Sequence, residues 1–145
     1  MSIFIKPVSL RWADLDPNFH VRHSVYYDLG SQHRIEILDS LGLTGSVMQK
    51  HKFGPVLFRE ECIFRREMRL EDTIFLHTSL QSLREDGGRW TIRHEFVKNE
   101  EVLCAVLTLD GAWMDIEKRK LADPTPEIAF KVLSQIPRSA AVSGI

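Results

Sequence analysis

A single long helical segment limits the folds that this chain can adopt. Between about His23 and Leu41 the apolar residues recur at the three- and four-residue spacing of a helix, and the apolar arc is broad enough to predict a deeply buried helix. Ser24 is the predicted N-cap, and Gly42 is the predicted stop. Gly30 lies on the buried stripe, which indicates a close approach between the helix and a strand.

Strand-like alternation of apolar and polar residues begins before this helix. A first strand is predicted at 3–12, where Pro7 requires a sheet edge or a bulge because it cannot donate to a strand ladder. The Asp, Pro and Asn residues at 13–22 predict a loop. After the long helix we predict a mixed connector at 43–54, and near the end of the chain a short helix at about 127–134. The remaining strand-like part of the chain lies between these two segments.

Four strand runs follow the connector in hairpin succession, with turn signals at Asp86-Gly87-Gly88 and Asn99-Glu100. The last run, 101–115, is apolar on both faces, as in a strand that is covered on both sides. This order favours an α+β fold in which one curved antiparallel sheet wraps around one long central helix. Such a sheet leaves edges and an outer face exposed, so we expect a homodimer or a larger homo-oligomer.

Length and composition fit one domain that needs neither disulfides nor a structural metal. The 145 residues are 43% hydrophobic, and we expect a single domain at 1–137 with a frayed tail at 138–145. A net charge of -1 provides no field for nucleic acid. The longest apolar run is too short for a membrane span. Two cysteines in apolar runs, and an N-terminus without a signal-peptide pattern, favour a cytoplasmic protein.

The segment richest in chemistry is 11–26, where a loop with two carboxylates and two imidazoles leads into the helix. The first turn of a helix offers unpaired N–H groups and the positive end of the helix dipole, which stabilise an oxyanion. A nearby carboxylate can attack an acyl carbon or activate a water molecule. The segment is therefore compatible with acyl-transfer chemistry, although Asp14 and Asp16 are also typical of loop turns and helix caps.

One family motif, aromatic-x-Asp-x-Asp-x-x-Gly-(His/Val/Ile)-Val-x-(His/Asn/Tyr)-x-x-Tyr, is matched in order by Trp12, Asp14, Asp16, His20, Val21, His23 and Tyr26. The segment thereby resembles the hotdog-fold acyl-CoA thioesterases of the 4-hydroxybenzoyl-CoA thioesterase type. Weaker matches at Glu71-Asp72 and at 115–120 extend the resemblance over most of the chain. The resemblance implies a hotdog fold that assembles as a homodimer or homotetramer, with the active site at a subunit interface.

The same resemblance implies that the protein hydrolyses an acyl-CoA thioester to a free acid and coenzyme A. Asp16 matches the catalytic carboxylate, which acts as nucleophile or as general base. His23 matches a catalytic position, and its backbone N–H matches the oxyanion donor. Tyr26 matches a residue that lines the acyl pocket, and we expect Phe19 and His20, within the motif, to bind substrate. Phe19 replaces the usual Gly, where a bulky side chain would narrow the pocket.

A second departure concerns the helix, where Ser31 replaces a Glu of many relatives while Arg34 retains the family residue. These departures support an alternative function, a non-catalytic protein of the same fold that binds acyl thioesters. A third hypothesis, a cone-shaped α+β domain for small-molecule binding or dehydration, would place several helices before the sheet. We expect no cofactor other than the coenzyme A of the substrate.

Other candidate sites have a competing explanation. His20 and His23, beside two carboxylates, could hold zinc or iron, but the prediction is no metal. Cys62 and Cys104 lie in apolar strands, which favours packing over a nucleophilic role.

Charged residues on the predicted strands leave further alternatives open. Two basic clusters are candidates for binding the phosphates of coenzyme A, and either could instead be a solvated strand end: Arg65, Arg66 and Arg69, or Lys118, Arg119 and Lys120. Glu60 shares the apolar side of its strand, where it could extend its carboxylate to solvent, mark a bulge, or face the site.

Overall fold

The computed structural model describes residues 2–140. Within this range the strands are β1 (Ile5–Val8), β2 (Phe53–Phe64), β3 (Ile74–Leu83), β4 (Arg89–Lys98), β5 (Val102–Asp115) and β6 (Lys120–Leu121). The helices are α1 (His23–Ser40), α2 (Gly45–Lys50) and α3 (Glu127–Leu133). A 3-10 turn at Trp12–Asp14 precedes α1.

All strand pairs are antiparallel, and the main sheet has the order β1-β3-β4-β5-β2, with the short β6 added to β5. Strands β3, β4 and β5 follow one another through hairpins, as predicted. The hairpin predicted between the first run and the second is wrong, because β2 pairs with β5 and not with β3. Strand β1 forms one edge, where Pro7 lies opposite Phe75. The edge position predicted for Pro7 is therefore confirmed, because its missing N–H faces no further strand.

Helix α1 packs its buried side against the sheet, and its bounds agree with the prediction from helical spacing. A Cβ atom built on Gly30 would lie 2.5 Å from the side chain of Leu107 in β5. Only a residue without a side chain allows this approach, which explains the glycine in mid-helix. Gly42, just beyond the helix, has a φ of 94° and ends it as predicted.

Two predictions at the start of the chain need correction. Strand β1 ends at Val8 rather than at residue 12, because the Arg11 N–H donates to Asp14 Oδ2 at 2.8 Å and the chain turns. Ser24 is not the N-cap: the cap residue is Arg22, which makes no capping hydrogen bond with its side chain. The Ser24 hydroxyl instead accepts a hydrogen bond from Arg22 Nε at 3.0 Å.

The connector predicted at 43–54 contains a helix that was not predicted, α2. Thr44 caps it, since its hydroxyl accepts from the Val47 N–H at 3.2 Å. With six residues and a glycine at its start, α2 has too little helical periodicity to stand out in the sequence. The helix predicted at about 127–134 is confirmed as α3.

Strand β5 is buried on both faces within a single chain, with Val106 1% and Leu107 0% exposed. The two-sided apolar pattern at 101–115 thus has an explanation that needs no second subunit. The domain boundary at 137 stays a prediction, and residues 141–145 of the predicted tail lie outside the described residues. The first tail residues are tied to the sheet, since the Ser139 N–H donates to the Leu80 carbonyl at 3.0 Å.

One hydrophobic cluster forms the core. It joins residues of α1 and α3 to residues of the five strands of the main sheet. The predicted α+β architecture, a curved antiparallel sheet around one long helix, is confirmed. None of the helices between residues 2 and 140 has both the length and the hydropathy needed to cross a membrane.

Candidate active site

A miniature hairpin at 15–21 carries most of the predicted site residues. Leu15 and Val21 form an antiparallel bridge, and the Asp16 N–H donates to the His20 carbonyl at 2.7 Å. The Val21 N–H donates to the Met68 carbonyl at 2.8 Å, which ties the hairpin to the chain beyond β2. The hairpin therefore holds Asp16 in a fixed position just before the first turn of α1.

The Asp16 side chain is half-buried and accepts two backbone hydrogen bonds with the same oxygen. Oδ1 lies 2.8 Å from the Asn18 N and 3.1 Å from the His20 N. For Oδ2 no partner is found among residues 2–140. The loop-turn role and the chemical role of this carboxylate are therefore compatible, because one oxygen shapes the loop and the other is available to a substrate or to water.

Asp14, by contrast, is buried and committed to the loop. Its two oxygens accept from the Arg11 side chain at 2.7 Å and from the Arg11 backbone at 2.8 Å. Its own carbonyl accepts from the Arg22 N–H. The hydrogen bond with the guanidinium lowers the pKa of Asp14 below its ordinary value. Asp14 thus has the contacts of a residue that shapes the loop.

His23 is the first residue of α1, and its side chain is exposed. The first N–H groups of a helix have no intrahelical acceptor, and no acceptor for the His23 N–H is found within the described range. Because no side chain caps this end of α1, the first turn can donate to an anionic oxygen.

Tyr26, one turn further along α1, is a buried aromatic residue. Its ring meets Phe64 edge-on at 5.0 Å between centroids and Phe96 at 5.1 Å. Burial raises the pKa of Tyr26 well above its ordinary value, and the nearby thiols and the carboxylates of Asp16 and Glu67 add to the rise. The phenol is therefore neutral at physiological pH and belongs to the apolar wall next to Asp16.

Phe19 occupies the hairpin tip with a φ of 65°, the left-handed conformation that a glycine adopts without strain. The side chain is 56% exposed and packs against Trp12, with 5.8 Å between ring centroids. The backbone conformation of a glycine is thus retained, and the ring lies on the surface beside Trp12.

His20 contacts two charged residues that follow β2 in the chain. Its Nε2 lies 3.0 Å from Glu67 Oε2 and 3.3 Å from Arg69 Nη2, and these two residues also pair with each other at 3.1 Å. Among residues 2–140 no three His, Cys, Asp or Glu side chains come together as metal ligands. The involvement of Glu67 was not predicted, because a contact between a loop and a distant strand end has no local sequence signal.

A chain of polar side chains crosses the interior behind α1. Thr78 Oγ1 lies 2.6 Å from His33 Nδ1 and 2.7 Å from His94 Nδ1. His94 Nε2 lies 3.0 Å from Arg34 Nη1, and Arg34 lies 3.6 Å from Glu60. The Glu60 carboxylate therefore pairs with Arg34 on α1, an arrangement that was not among the alternatives that its sequence position left open. His33 is a buried residue of α1, and its hydrogen-bond partners are distant in the chain: Thr78 in β3 and the Ile3 carbonyl.

Both thiols are free and in surroundings that suppress their reactivity. Burial raises the pKa of Cys62 to about 12 and also raises that of Cys104. A thiol in this environment is protonated at physiological pH. The packing role predicted for the two cysteines therefore fits their positions in β2 and β5.

The two basic clusters lie at opposite ends of β5. The N–H groups of Arg65 and Arg66 both donate to the Cys104 carbonyl, near the start of β5, and their exposed side chains line a groove with Phe64. The residues 118–120 follow the other end, about 40 Å away along a strand of this length. Within the first predicted cluster, Arg65 and Arg66 adjoin Phe64, which contacts Tyr26, whereas Arg69 does not line this groove and pairs with Glu67 beside His20.

The sequence matches the model of the thioesterase-like superfamily over residues 10–132. No curated protein sequence matches the chain. The matched residues include the hairpin, α1, α2, strands β2 to β6 and most of α3, and β1 precedes them.

Three solved structures illustrate the similarity in fold. A 1,4-dihydroxy-2-naphthoyl-CoA thioesterase from Synechocystis has a TM-score of 0.80 at 16% identity, with 91% of this chain and 96% of that chain covered. A hypothetical protein from Staphylococcus aureus in complex with CoA has a TM-score of 0.86 at 14% identity, with 97% and 89% covered. A gentisyl-coenzyme A thioesterase has a TM-score of 0.75 at 19% identity, with 89% and 98% covered. The predicted hotdog fold is therefore confirmed.

Proposed function

This chain belongs to the thioesterase-like superfamily, and from that premise we propose that it hydrolyses an acyl-CoA thioester to a free acid and coenzyme A. The observation that carries the proposal is the Asp16 carboxylate. Its Oδ1 is fixed by two backbone N–H groups, and its hairpin leads directly into the uncapped first turn of α1. A positioned carboxylate beside oxyanion donors is the arrangement that thioester hydrolysis requires.

In the general-base route, a water molecule attacks the thioester carbonyl carbon while Asp16 Oδ2 takes one of its protons. The carbonyl oxygen becomes an oxyanion, which the His23 N–H stabilises. When the tetrahedral intermediate collapses, the carbon–sulfur bond breaks and the proton passes to the thiolate of coenzyme A. The products are the acid and the free thiol.

In the nucleophilic route, Asp16 Oδ2 attacks the same carbon and expels the thiolate, which leaves a mixed anhydride. Water then hydrolyses this anhydride and regenerates the carboxylate. In a single turnover in ¹⁸O-water, label located in the Asp16 carboxyl by mass spectrometry would establish this route, since only attack of water on the aspartyl carbon of the anhydride places it there.

The proposed substrate position follows from the residues around Asp16. The acyl group lies against Tyr26, and His20 contacts the substrate from the side of Glu67. Phe19 contributes an exposed apolar edge beside Trp12. The exposed Arg65 and Arg66 side chains bind the phosphates of coenzyme A. This arrangement needs no metal and no resident cofactor, and it matches the 4-hydroxybenzoyl-CoA thioesterase type in its motif residues.

A second candidate function is binding of acyl thioesters without hydrolysis. Ser31 supports it, because this exposed position on α1 has no carboxylate where many members of the resembled family have Glu. In this case the Asp16 hairpin serves only to shape the ligand site.

A panel of aromatic and aliphatic acyl-CoA substrates, followed by release of the free thiol, tests the proposal. Wild-type protein should hydrolyse at least one member, and Asp16→Asn should lose that activity. Asp28→Asn is the matched control, because Asp28 is an exposed carboxylate on α1 outside the hairpin. Binding of acyl-CoA without any thiol release would replace the enzyme by the binding protein.

A further inference from the structure

We propose a second ligand site, separate from the Asp16 site, in the cavity between the C-terminal half of α1 and the sheet. Its ligand is a small carboxylic acid with an apolar body no larger than one aromatic ring or a short acyl chain. Two observations carry the inference: the position of the cavity, and a hydrogen-bond chain that ends on Arg34 in its wall.

The cavity has a volume of about 220 Å³ and lies between α1, the sheet and α3. Its mouth is lined by exposed residues, including Ser31, Ile35 and Leu57, and its interior by buried apolar ones such as Ile92. An engineered cavity of about 150 Å³ already accepts benzene, so this volume suits a ligand of the proposed size.

The cavity shares no lining residue with the Asp16 site. The helical rise places Ser31, its nearest helical residue, about 12 Å beyond His23 along α1. Tyr26 and Phe96, which pack against each other, do not line the cavity. The two sites are therefore distinct within one chain.

Two tryptophans of the cavity wall carry unpaired donors. Trp90 and Trp113 are 5% and 2% exposed, and their rings lie 5.7 Å apart. Neither indole N–H has an acceptor within residues 2–140, although both nitrogens are buried. Because each nitrogen has less than 1 Å² of accessible surface, the cavity reaches other atoms of the two indoles, which makes both rings reporters of its occupancy.

The hydrogen bonds between the polar side chains behind the cavity can run from donor to acceptor in only one direction. Arg34 only donates, so His94 Nε2 accepts from it and His94 Nδ1 carries the proton. His94 Nδ1–H donates to Thr78, whose hydroxyl donates to His33 Nδ1. His33 Nε2–H then donates to the Ile3 carbonyl at 3.0 Å. The chain uses the acceptors of both histidines and leaves none for the cavity.

Arg34 itself is only partly neutralised. Its guanidinium is largely buried, and its acidic neighbour Glu60 lies at 3.6 Å, beyond the usual length of a charge-assisted hydrogen bond. The cavity wall thus offers the Arg34 guanidinium within an otherwise mainly apolar lining. A carboxylate supplies the negative charge and the acceptor oxygens that this group requires, and an apolar body fills the rest of the cavity.

Tryptophan fluorescence provides a direct assay. The chain has three tryptophans, and replacing the exposed one by Trp12→Phe leaves only Trp90 and Trp113 as reporters. Benzoate and hexanoate are titrated against their uncharged counterparts, benzamide and hexan-1-ol. We expect a saturable change with the acids and binding at least about tenfold weaker for the uncharged probes, a difference of ~1.4 kcal/mol.

Variants locate the binding. Arg34→Met should remove the preference for the acids while benzamide still binds, which also shows that the cavity is intact. Ser31→Phe should block the mouth and weaken all probes, whereas Ser40→Phe, at the exposed end of the same helix, should not. Thermal unfolding verifies that each variant is folded.

Asp16→Asn separates this proposal from the proposed function. It should abolish hydrolysis and leave binding of benzoate unchanged, so either proposal can fail alone. The second site is overturned if neither acid gives a saturable response up to its solubility limit, or if acids and uncharged probes bind equally. It is also overturned if Asp16→Asn abolishes the response.

Discussion

The guanidinium of Arg34 donates a hydrogen bond to His94, with 3.0 Å between Nη1 and Nε2, in the interior between α1 and β4. His94 is 0% exposed, and its ring must stay neutral to accept this bond. Burial lowers the pKa of His94 well below its ordinary value, and the charge of Arg34 lowers it further. Burial likewise lowers the pKa of His33. The two histidines therefore couple the stability of the fold to pH.

The first prediction is a loss of stability on acidification. Below the ordinary histidine pKa of about 6.5 the unfolded chain binds protons that the folded chain does not, so the free energy of unfolding falls as the pH falls. The loss approaches about 1.4 kcal/mol per pH unit for each histidine until its folded pKa is reached. Urea unfolding at pH 7.5, 6.5 and 5.5 measures it. His94→Gln should reduce the slope and the exposed control His51→Gln should not; a flat profile in wild type would contradict the prediction.

The second prediction concerns Asp16. Replacing it by Asn keeps the shape but removes the charge and basicity, and a positioned base contributes about 10²–10⁴-fold. We expect kcat to fall by that factor, about 3–5 kcal/mol of transition-state stabilisation, on whichever acyl-CoA is hydrolysed best. Because Asn can still accept the Asn18 and His20 N–H bonds, thermal stability should change little. Full turnover in Asp16→Asn would assign the chemistry to another group.

The third prediction is that Asp14 contributes to stability, whereas Asp16 contributes to catalysis. Asp14→Asn loses the charge-assisted bonds with Arg11 from a buried position, and we expect it to destabilise the fold by about 1–3 kcal/mol. Since Arg11 lowers the pKa of Asp14, this contribution is present above pH ~4 and disappears as the carboxylate protonates. Denaturant unfolding of both variants is the measurement. If Asp16→Asn proves the less stable variant, the two roles are interchanged.

The fourth prediction concerns coenzyme A. Arg65 and Arg66 adjoin the groove next to Phe64, whereas Lys118 and Lys120 lie past the far end of β5. The double variant Arg65→Gln/Arg66→Gln should raise KM for acyl-CoA about tenfold and leave kcat nearly unchanged, because the phosphates are remote from the reacting carbon. Lys118→Gln/Lys120→Gln removes the same charge and is the control. An equal rise in both double variants would indicate a general electrostatic effect, not a phosphate site.

Local patterns in the sequence predicted the parts of this fold that depend on local spacing. The bounds of α1, the approach at Gly30 and the edge position of Pro7 follow from periodicity and from the chemistry of single residues. The position of Asp16 in a loop before a helix was likewise apparent. What could not be predicted depends on partners distant in the chain.

Glu60 illustrates this limit. Its place on the apolar side of β2 is explained by Arg34, 26 positions earlier, and no local pattern reports that contact. The bonds of His33 and His94 to Thr78 are equally non-local. The expectation that Phe19 narrows the pocket stays a prediction; in this chain its ring packs against Trp12, another contact that no local pattern reports.

The last prediction is a homodimer or a larger homo-oligomer. Strand β2 is twelve residues long and pairs only with β5, so its other edge leaves backbone N–H and C=O groups unpaired by any described strand. It also exposes large apolar side chains, with Phe58 at 52% and Phe64 at 49%. A long, apolar edge of this kind tends to pair with another chain.

Sedimentation at micromolar concentration should therefore give at least twice the 16.8 kDa of one chain. Phe58→Lys should shift the equilibrium toward monomer by placing a charge on this edge, whereas Ile116→Lys, at an equally exposed turn beyond β5, should not. A wild-type protein that sediments as a monomer would refute the prediction and would require each active site to be complete within one chain.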